Sequence, residues 1–250
     1  MNLDVLAFGA HPDDTELCVG GTLIKLKSLG YRTGIVDLTQ GEMGSRGDSP
    51  TRLREAAKAA EILGVDLRQT LDLGDGHLDE DLFKKRPPIT TLIRQFKPTL
   101  ILAPSKEDRH PDHAAAGKLI ERSCFDARLT KLDLGYPIHA SKATLYYLLH
   151  DYVEPTLVVD ISDVFTQKME AIKAYESQFC APVKDNECPP IGISDYIFHV
   201  ESRSRFYGSL INVEHGEAFY LRVPLRIKDL VALFEGEKSL SRCSSGSEAF

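Results

Sequence analysis

The sequence predicts an α/β protein, a single domain built on a Rossmann-like, mostly parallel sheet flanked by helices. Three observations predict it. Short apolar runs alternate with helix-length stretches through the first half of the chain in the order β-α-β-α-β-α-β-α, which favours parallel strands joined by right-handed crossovers. Two of the apolar runs end in turns loaded with His and Asp, AHPDD at 10–14 and RHPDH at 109–113. Glycines close two of the intervening helical patterns, Gly30 and Gly64, where a left-handed C-cap is expected.

Taken in order, the run 3–9 (LDVLAFG) is a short buried strand that stops on Gly9, and AHPDD follows at once. Residues 17–29 carry apolar side chains at a mostly helical spacing. The second strand is 33–39 (TGIVDLT), and 40–50 (QGEMGSRGDSP), with three glycines and a proline, is a loop at the same end of the sheet as AHPDD, of the kind that forms a mobile binding loop or lid. Residues 51–63 are rich in helix formers with Thr51 as N-cap. A third strand is expected at about 70–73, then the turn-rich GDGHLDED, then a helix over 82–96 that Pro87 and Pro88 delay or kink. The buried strand 98–104 feeds SKEDRHPDH and a helix over 114–125. Further strands fall near 144–149 and 156–161, helices at 165–179 and 195–207 with APVKDNECPP between them, and a late edge strand at 216–221. The domain is expected to span 1–236, with 237–250, ending in SRCSSGSEAF, as a disordered tail.

A chain of 250 residues, 42% hydrophobic and 27% charged, is long enough to bury one sizeable core and has no apolar run that could span a membrane. A net charge of −7 gives no general attraction to nucleic acid or anionic lipid. The start, MNLDVLAFGAHPDD, has no basic region before its apolar run, so a cytoplasmic protein is expected. Five scattered cysteines without a CxxC pair (Cys18, Cys124, Cys180, Cys188, Cys243) argue against a disulfide framework and a thiolate zinc site. Any metal here has His and carboxylate ligands.

In the usual 3-2-1-4 strand order the first and fourth strands are neighbours, so both loaded turns converge on the crevice at their carboxyl ends. His11, Asp14 and His113 then supply two imidazoles and one carboxylate, a set that binds a divalent cation, by default zinc, with positions left open for water. Asp13 lies beside the ion and is placed to take a proton from water; His110, if protonated, stabilises an oxyanion, and Asp112 orients that imidazole. Either motif alone reads equally as a polar helix N-terminus, where Asp caps well. Two of them, at adjacent strand ends, favour a site. His77, His139, His150, His199 and His215 lack such context and read as surface or packing residues. Arg46, Arg54, Lys106 and Arg109 lie in or just after the loops at the same end. Arg46 and Arg109 are the better placed to clamp a carboxylate, Arg54 and Lys106 reading as readily as solvated charges, and a small-molecule substrate with an anionic group follows.

AHPDD and RHPDH after these strands resemble the LmbE-like, PIG-L-type zinc deacetylases, and TQGEMGSRG (39–47), YESQF (175–179) and SRSRFYGSLINVEHGEAF (202–219) resemble the bacillithiol-biosynthesis branch, over residues 3 to about 225. The resemblance implies removal of acetyl from an N-acetylglucosaminyl compound, N-acetylglucosaminyl malate in that branch. It assigns His11, Asp14 and His113 to zinc, Asp13 to the general base, and His110 with Asp112 to a supporting pair. It adds a late tyrosine that can approach the oxyanion, mapped to Tyr196 among the substrate-binding residues with Arg46, Arg54 and Arg109, and implies a homo-oligomer, often a hexamer. His77 in GDGHLDED and the tail beyond Arg226 depart from the family pattern.

Other readings stay open: a deacetylase of another N-acetylglucosamine derivative or a chitooligosaccharide, Fe2+ or another divalent ion in place of zinc, a non-haem iron oxygenase, which the β-α alternation opposes, or a non-catalytic metal- or sugar-binding protein.

Overall fold

The computed structural model describes residues 1–152, 154–179, 193–229 and 231. Five parallel strands form one sheet in the order β3-β2-β1-β4-β5: β1 (Val5–Gly9), β2 (Thr33–Asp37), β3 (Leu67–Thr70), β4 (Leu100–Pro104) and β5 (Ala143–Tyr147). The order reverses between β2 and β4 on either side of β1, so the predicted switch point is present. Helices α1 (Asp14–Ser28), α2 (Ser49–Leu63), α3 (Leu82–Phe96) and α4 (Pro111–Asp126) make the crossovers. After β5 come β6 (Leu157–Asp160), α5 (Phe165–Lys173), α6 (Glu176–Phe179), α7 (Ile193–Ser209) and β7 (Gly216–Phe219), with β6 and β7 antiparallel in a separate ribbon. A single bridge, Tyr146 to Tyr220, joins the ribbon to β5.

Strand alternation explains why two cores form. Val5 and Ala7 of β1 point to one face, with Leu23, Ala59, Ile172 and Val200, while Leu6 and Phe8 point to the other, with Ile89, Ile93, Ala116 and Ile120. Each fully buried Leu, Ile or Phe contributes about 1.5–3 kcal/mol, so helices on both faces are held mainly by this burial. Being covered on both sides, β1 is apolar throughout, which is why the sequence shows it so clearly.

Four expectations need correction, the first being the N-cap of α2, which is Asp48 and not Thr51, the Asp48 carboxylate accepting the Thr51 amide at 2.8 Å. The third strand lies at Leu67–Thr70 and not at 70–73: the Asp66 amide bonds the Thr33 carbonyl at 2.8 Å and starts the pairing, while Leu71 and Leu73 belong to the following loop and pack on the second core. Arg68 and Gln69 hide this strand from an apolar-run reading. α3 runs from Leu82 through Pro87 and Pro88 without delay. The single helix expected over 165–179 is two helices, broken where Tyr175 turns fully into the core. Met1–Tyr220 forms one compact unit and Leu221–Phe250 a second. The segment 181–190 and the tail 237–250 fall outside the described residues. Among the described residues, no helix is long and apolar enough to cross a membrane.

Candidate metal centre and its cleft

The two loaded turns meet because β1 and β4 pair directly. Asp14 opens α1 and folds back to accept the His11 amide at 2.9 Å. His110 is the N-cap of α4, and His113 stands in its first turn. Donor atoms of His11, Asp14 and His113 lie within 4.8 Å of one another. His113 Nε2 is 3.3 Å from Asp14 Oδ1, and His11 Nδ1 is 3.6 Å from Asp14 Oδ2.

The opposite nitrogen of each imidazole meets a carboxylate. His11 Nε2 lies 3.0 Å from Asp75 and 3.2 Å from Asp112; His113 Nδ1 lies 3.3 Å from Asp108. Asp108 also accepts the amides of His110, Leu149 and His150, which uses up its lone pairs. Asp112 is bonded by the amides of Gly76 and Leu78. Two other groupings, Asp108 with His113 and His150, and His11 with Asp75 and Asp112, bring donors as close together. Both oxygens of Asp108 and both of Asp112 take backbone amides, however, whereas Asp14 gives only Oδ2 to one, so these groupings support the first set better than they ligate. Carboxylates behind the ligand imidazoles fix ring orientation and tautomer.

The field of the site favours positive charge. Burial lowers the proton affinity of His113, but Asp14 and Asp108 outweigh it and raise its pKa to about 9. His11 is raised in the same way, against burial, by hydrogen bonds with Asp112, Asp14 and Asp75. Burial alone would raise Asp14, but His113 and His11 hold it well below the usual carboxylate range. A divalent cation competes for the same nitrogens and benefits from the same carboxylates, so the donor set fits a metal.

Around this set is a cleft of about 640 Å³ lined by His11, Asp13, Asp14, His110 and His113 and walled by the 40–50 loop with Arg46, by α6 with Phe179 and by α7 with Tyr196. Asp13 has φ 113° and ψ −25°, and as N-cap of α1 its side chain makes no capping bond. Burial, opposed by Arg52, pushes its carboxyl up to about 7. Burial and the nearby His113 and His11 hold His110 below the usual histidine range.

The expected residues fall in different places. His11, Asp13, Asp14, His110, His113, Arg46 and Tyr196 all line the cleft, Tyr196 stacked at 5.8 Å on Phe179. Asp112 is close, but its carboxylate turns to His11 and the 76–78 loop, and only its amide reaches His110, at Nδ1 over 3.2 Å. It therefore does not orient His110 through its side chain. Arg109 is exposed and lines an adjoining cavity of about 260 Å³ with His150 and His199. Arg54 is not at the cleft: it bonds Thr51 on the outer face of α2, about 200° around the helix from Arg52, which faces inward and lines the cleft. Sequence reading missed Arg52, Asp75, Asp108 and His150. His150 is a cleft residue and not a surface one, stacked on His113 at 5.2 Å, and burial with His113 lowers its pKa to about 4. Asp75 stands in the turn-rich GDGHLDED and Asp108 in SKEDRHPDH, directly before the second loaded turn, so acidic residues at the sheet's carboxyl end are the signal for them.

Comparison with known proteins bears on this geometry. Residues 6–124 match the family model PIG-L, GlcNAc-PI de-N-acetylase. The chain is similar to the diacetylchitobiose deacetylase of Thermococcus kodakarensis, 36% identical over 190 residues that cover 70% of each chain. It is also similar to a probable N-acetyl-alpha-D-glucosaminyl L-malate deacetylase 2 of Bacillus cereus, 31% identical over 199 residues, 74% of this chain and 88% of that one. Among solved structures, the conserved protein TT1542 from Thermus thermophilus superposes with a TM-score of 0.82 at 35% identity, covering 90% of this chain and 97% of that one.

Proposed function

The chain belongs to the PIG-L, GlcNAc-PI de-N-acetylase, family, and on that premise we propose that it is a metal-dependent hydrolase removing acetyl from an N-acetylglucosaminyl compound. The observation that carries this reading is the pairing, in one cleft, of the His11, Asp14 and His113 donor set with an adjacent carboxylate, Asp13, that stands outside the set. A non-catalytic metal-binding protein has no use for that second carboxylate.

Hydrolysis of an amide adds water to the carbonyl and protonates the departing nitrogen. A divalent ion, zinc in this proposal, supplies Lewis acidity and lowers the pKa of water to about 7 when bound. His11, Asp14 and His113 hold it. Asp13 takes the proton of the attacking water and returns it to the amine. His110 acts without being protonated: the Asp112 amide donates to Nδ1, so the neutral ring carries its hydrogen on Nε2 and donates that to the developing oxyanion. This replaces the protonated His110 that the motif alone suggested. Tyr196 and Phe179 offer an aromatic wall for the sugar.

For the aglycone the proposal is an anionic one, N-acetylglucosaminyl malate, supported by Arg46 in the cleft and Arg109 in the cavity beside it. A second reading, a neutral chitooligosaccharide, is favoured by the 36% identity to the diacetylchitobiose deacetylase. A cytoplasmic homo-oligomer, hexameric by family resemblance, completes the proposal.

Metal analysis of purified protein and amine release from N-acetylglucosamine, its malate glycoside and diacetylchitobiose test the metal, the reaction and the aglycone, and light scattering tests the oligomer. Asp13→Asn keeps its metal and loses roughly 10²- to 10⁴-fold in kcat, as loss of a general base implies. Arg109→Ala impairs the malate glycoside more than the free sugar. No amine release from any of the three substrates would refute the deacetylase reading, and full activity in Asp13→Asn would remove the assigned base.

A further inference from the structure

Asp13 stands in a backbone conformation that needs outside support, and one side chain supplies it. Its φ of 113° lies in the left-handed half of the map, where a residue other than glycine is strained by about 1–3 kcal/mol and persists only when its surroundings impose it. At an N-cap, aspartate normally bonds the amides of the next turn, yet here the Asp13 carboxylate makes no such bond. It is held instead from α2. Arg52 is 4% exposed, and its Nη2 donates to the Pro12 carbonyl and, at 3.2 Å, to Asp13 Oδ2. One guanidinium nitrogen thus grips both the peptide that enters the turn and the carboxylate that leaves it.

The glycine-rich loop is shaped around the same group. A Cβ on Gly41 would stand 3.2 Å from Arg52 Cζ, and one on Gly44 would stand 3.3 Å from Nη1. The loop crosses the guanidinium as bare backbone because side chains there would displace it. Base, arginine and loop therefore form one assembly in which Arg52 is the common member.

We propose that Arg52 is the positioning residue of the Asp13 base, holding its carboxylate in the cleft through the Pro12 carbonyl and the carboxylate itself. The proposal rests on the deacetylase reading. It accounts for the cleft having an inward arginine on α2 whose guanidinium is bonded to the Asp13 turn itself. Lysine cannot replace it, because its ammonium ends one bond short of the place Nη2 occupies and leaves empty the space of the guanidinium over which Gly41 and Gly44 cross.

Steady-state kinetics separate positioning from substrate contact. In Arg52→Ala, kcat falls about 10²-fold, as a misplaced base implies, while KM stays within about twofold and metal content is unchanged. Arg52→Lys behaves like Arg52→Ala. Methylguanidine restores part of kcat to Arg52→Ala and none to Asp13→Asn. If Arg52→Ala does not melt cooperatively, Gly41→Ala, whose added Cβ has its three nearest neighbours all in the Arg52 guanidinium and none in Asp13 or the metal set, lowers kcat at unchanged KM. A raised KM at intact kcat would make Arg52 a substrate ligand and overturn the proposal, as would unchanged kinetics, lost metal or no rescue. Full activity in Asp13→Asn would instead sink the underlying base assignment, so the two failures are distinguishable.

Discussion

Replacing Lys168 with methionine should destabilise the fold without touching the cleft. Lys168 on α5 and Glu217 on β7 are each 2% exposed at the side chain, with Nζ 2.6 Å from Oε1. The carboxylate also accepts the amides of Gly21 and Thr22 at 2.9 and 2.7 Å, and Nζ donates to the Leu17 carbonyl at 3.1 Å. These are peptide groups from the middle turns of α1, so the pair is threaded into the helix that begins with Asp14. At that separation and an effective dielectric near 20, the attraction is about 6 kcal/mol. Methionine keeps most of the packing volume and avoids the cost of burying the ammonium, which leaves a net loss of about 3–5 kcal/mol for the stranded carboxylate. For a chain of this size that lowers Tm by roughly 10 °C. Urea and thermal denaturation of wild type, Lys168→Met, Glu217→Gln and the double variant measure it. The double variant strands no charge, and the cycle should return a coupling of about 2–3 kcal/mol. A loss below about 1 kcal/mol for Lys168→Met, or strict additivity, would refute the assignment of a stabilising buried pair.

Two further outcomes are expected. Asp108→Asn leaves His113 without its anionic partner at Nδ1 and should weaken metal binding about 10- to 100-fold, read by chelator competition; unchanged affinity would show that Asp108 serves only the loop amides. For Asp66, burial is the largest single influence and works against the charged form, but hydrogen bonds from Lys27 and the Thr33 amide together outweigh it and hold the carboxyl below its ordinary range. Its stabilisation is therefore complete above the unfolded value near 3.9 and is lost as pH falls through the lower folded value. Asp66→Asn should flatten the acid limb of the stability–pH curve, and an unaltered limb would contradict that.

The chemistry was easier to read in the sequence than its supports. β1 and β4 are buried on both faces, so each is a continuous apolar run that points directly to the motif after it. β3 is an edge strand of intermediate burial, and its polar residues disguised it. Arg52 and Arg54 are two residues apart and alike in composition; only the phase of α2 against the sheet separates the buried one from the exposed one. Asp112 looked like an orienting carboxylate by analogy, but at the second position of α4 its side chain leans toward the 76–78 loop. Nothing local announces the bonds from Gly21 and Thr22 to Glu217, because the partner lies some 195 residues away in the chain.

The proposed metal ligands stand in the turn after β1 (His11) and on the first turns of α1 (Asp14) and α4 (His113), whereas the walls of the cleft are drawn from the loops after β2, β3 and β5 and from α6 and α7. This divides the molecule into a part that cannot drift and a part that can. Shifting His11 or His113 means moving a central strand and both cores with it. Exposed side chains of the 40–50 loop that do not meet Arg52, such as Met43 and Ser45, line the cleft and can change without moving either strand. Relatives could thus exchange one sugar derivative for another through loop substitutions while the hydrolytic apparatus stayed in register, and directed evolution toward a new acetamido substrate should begin at those loops.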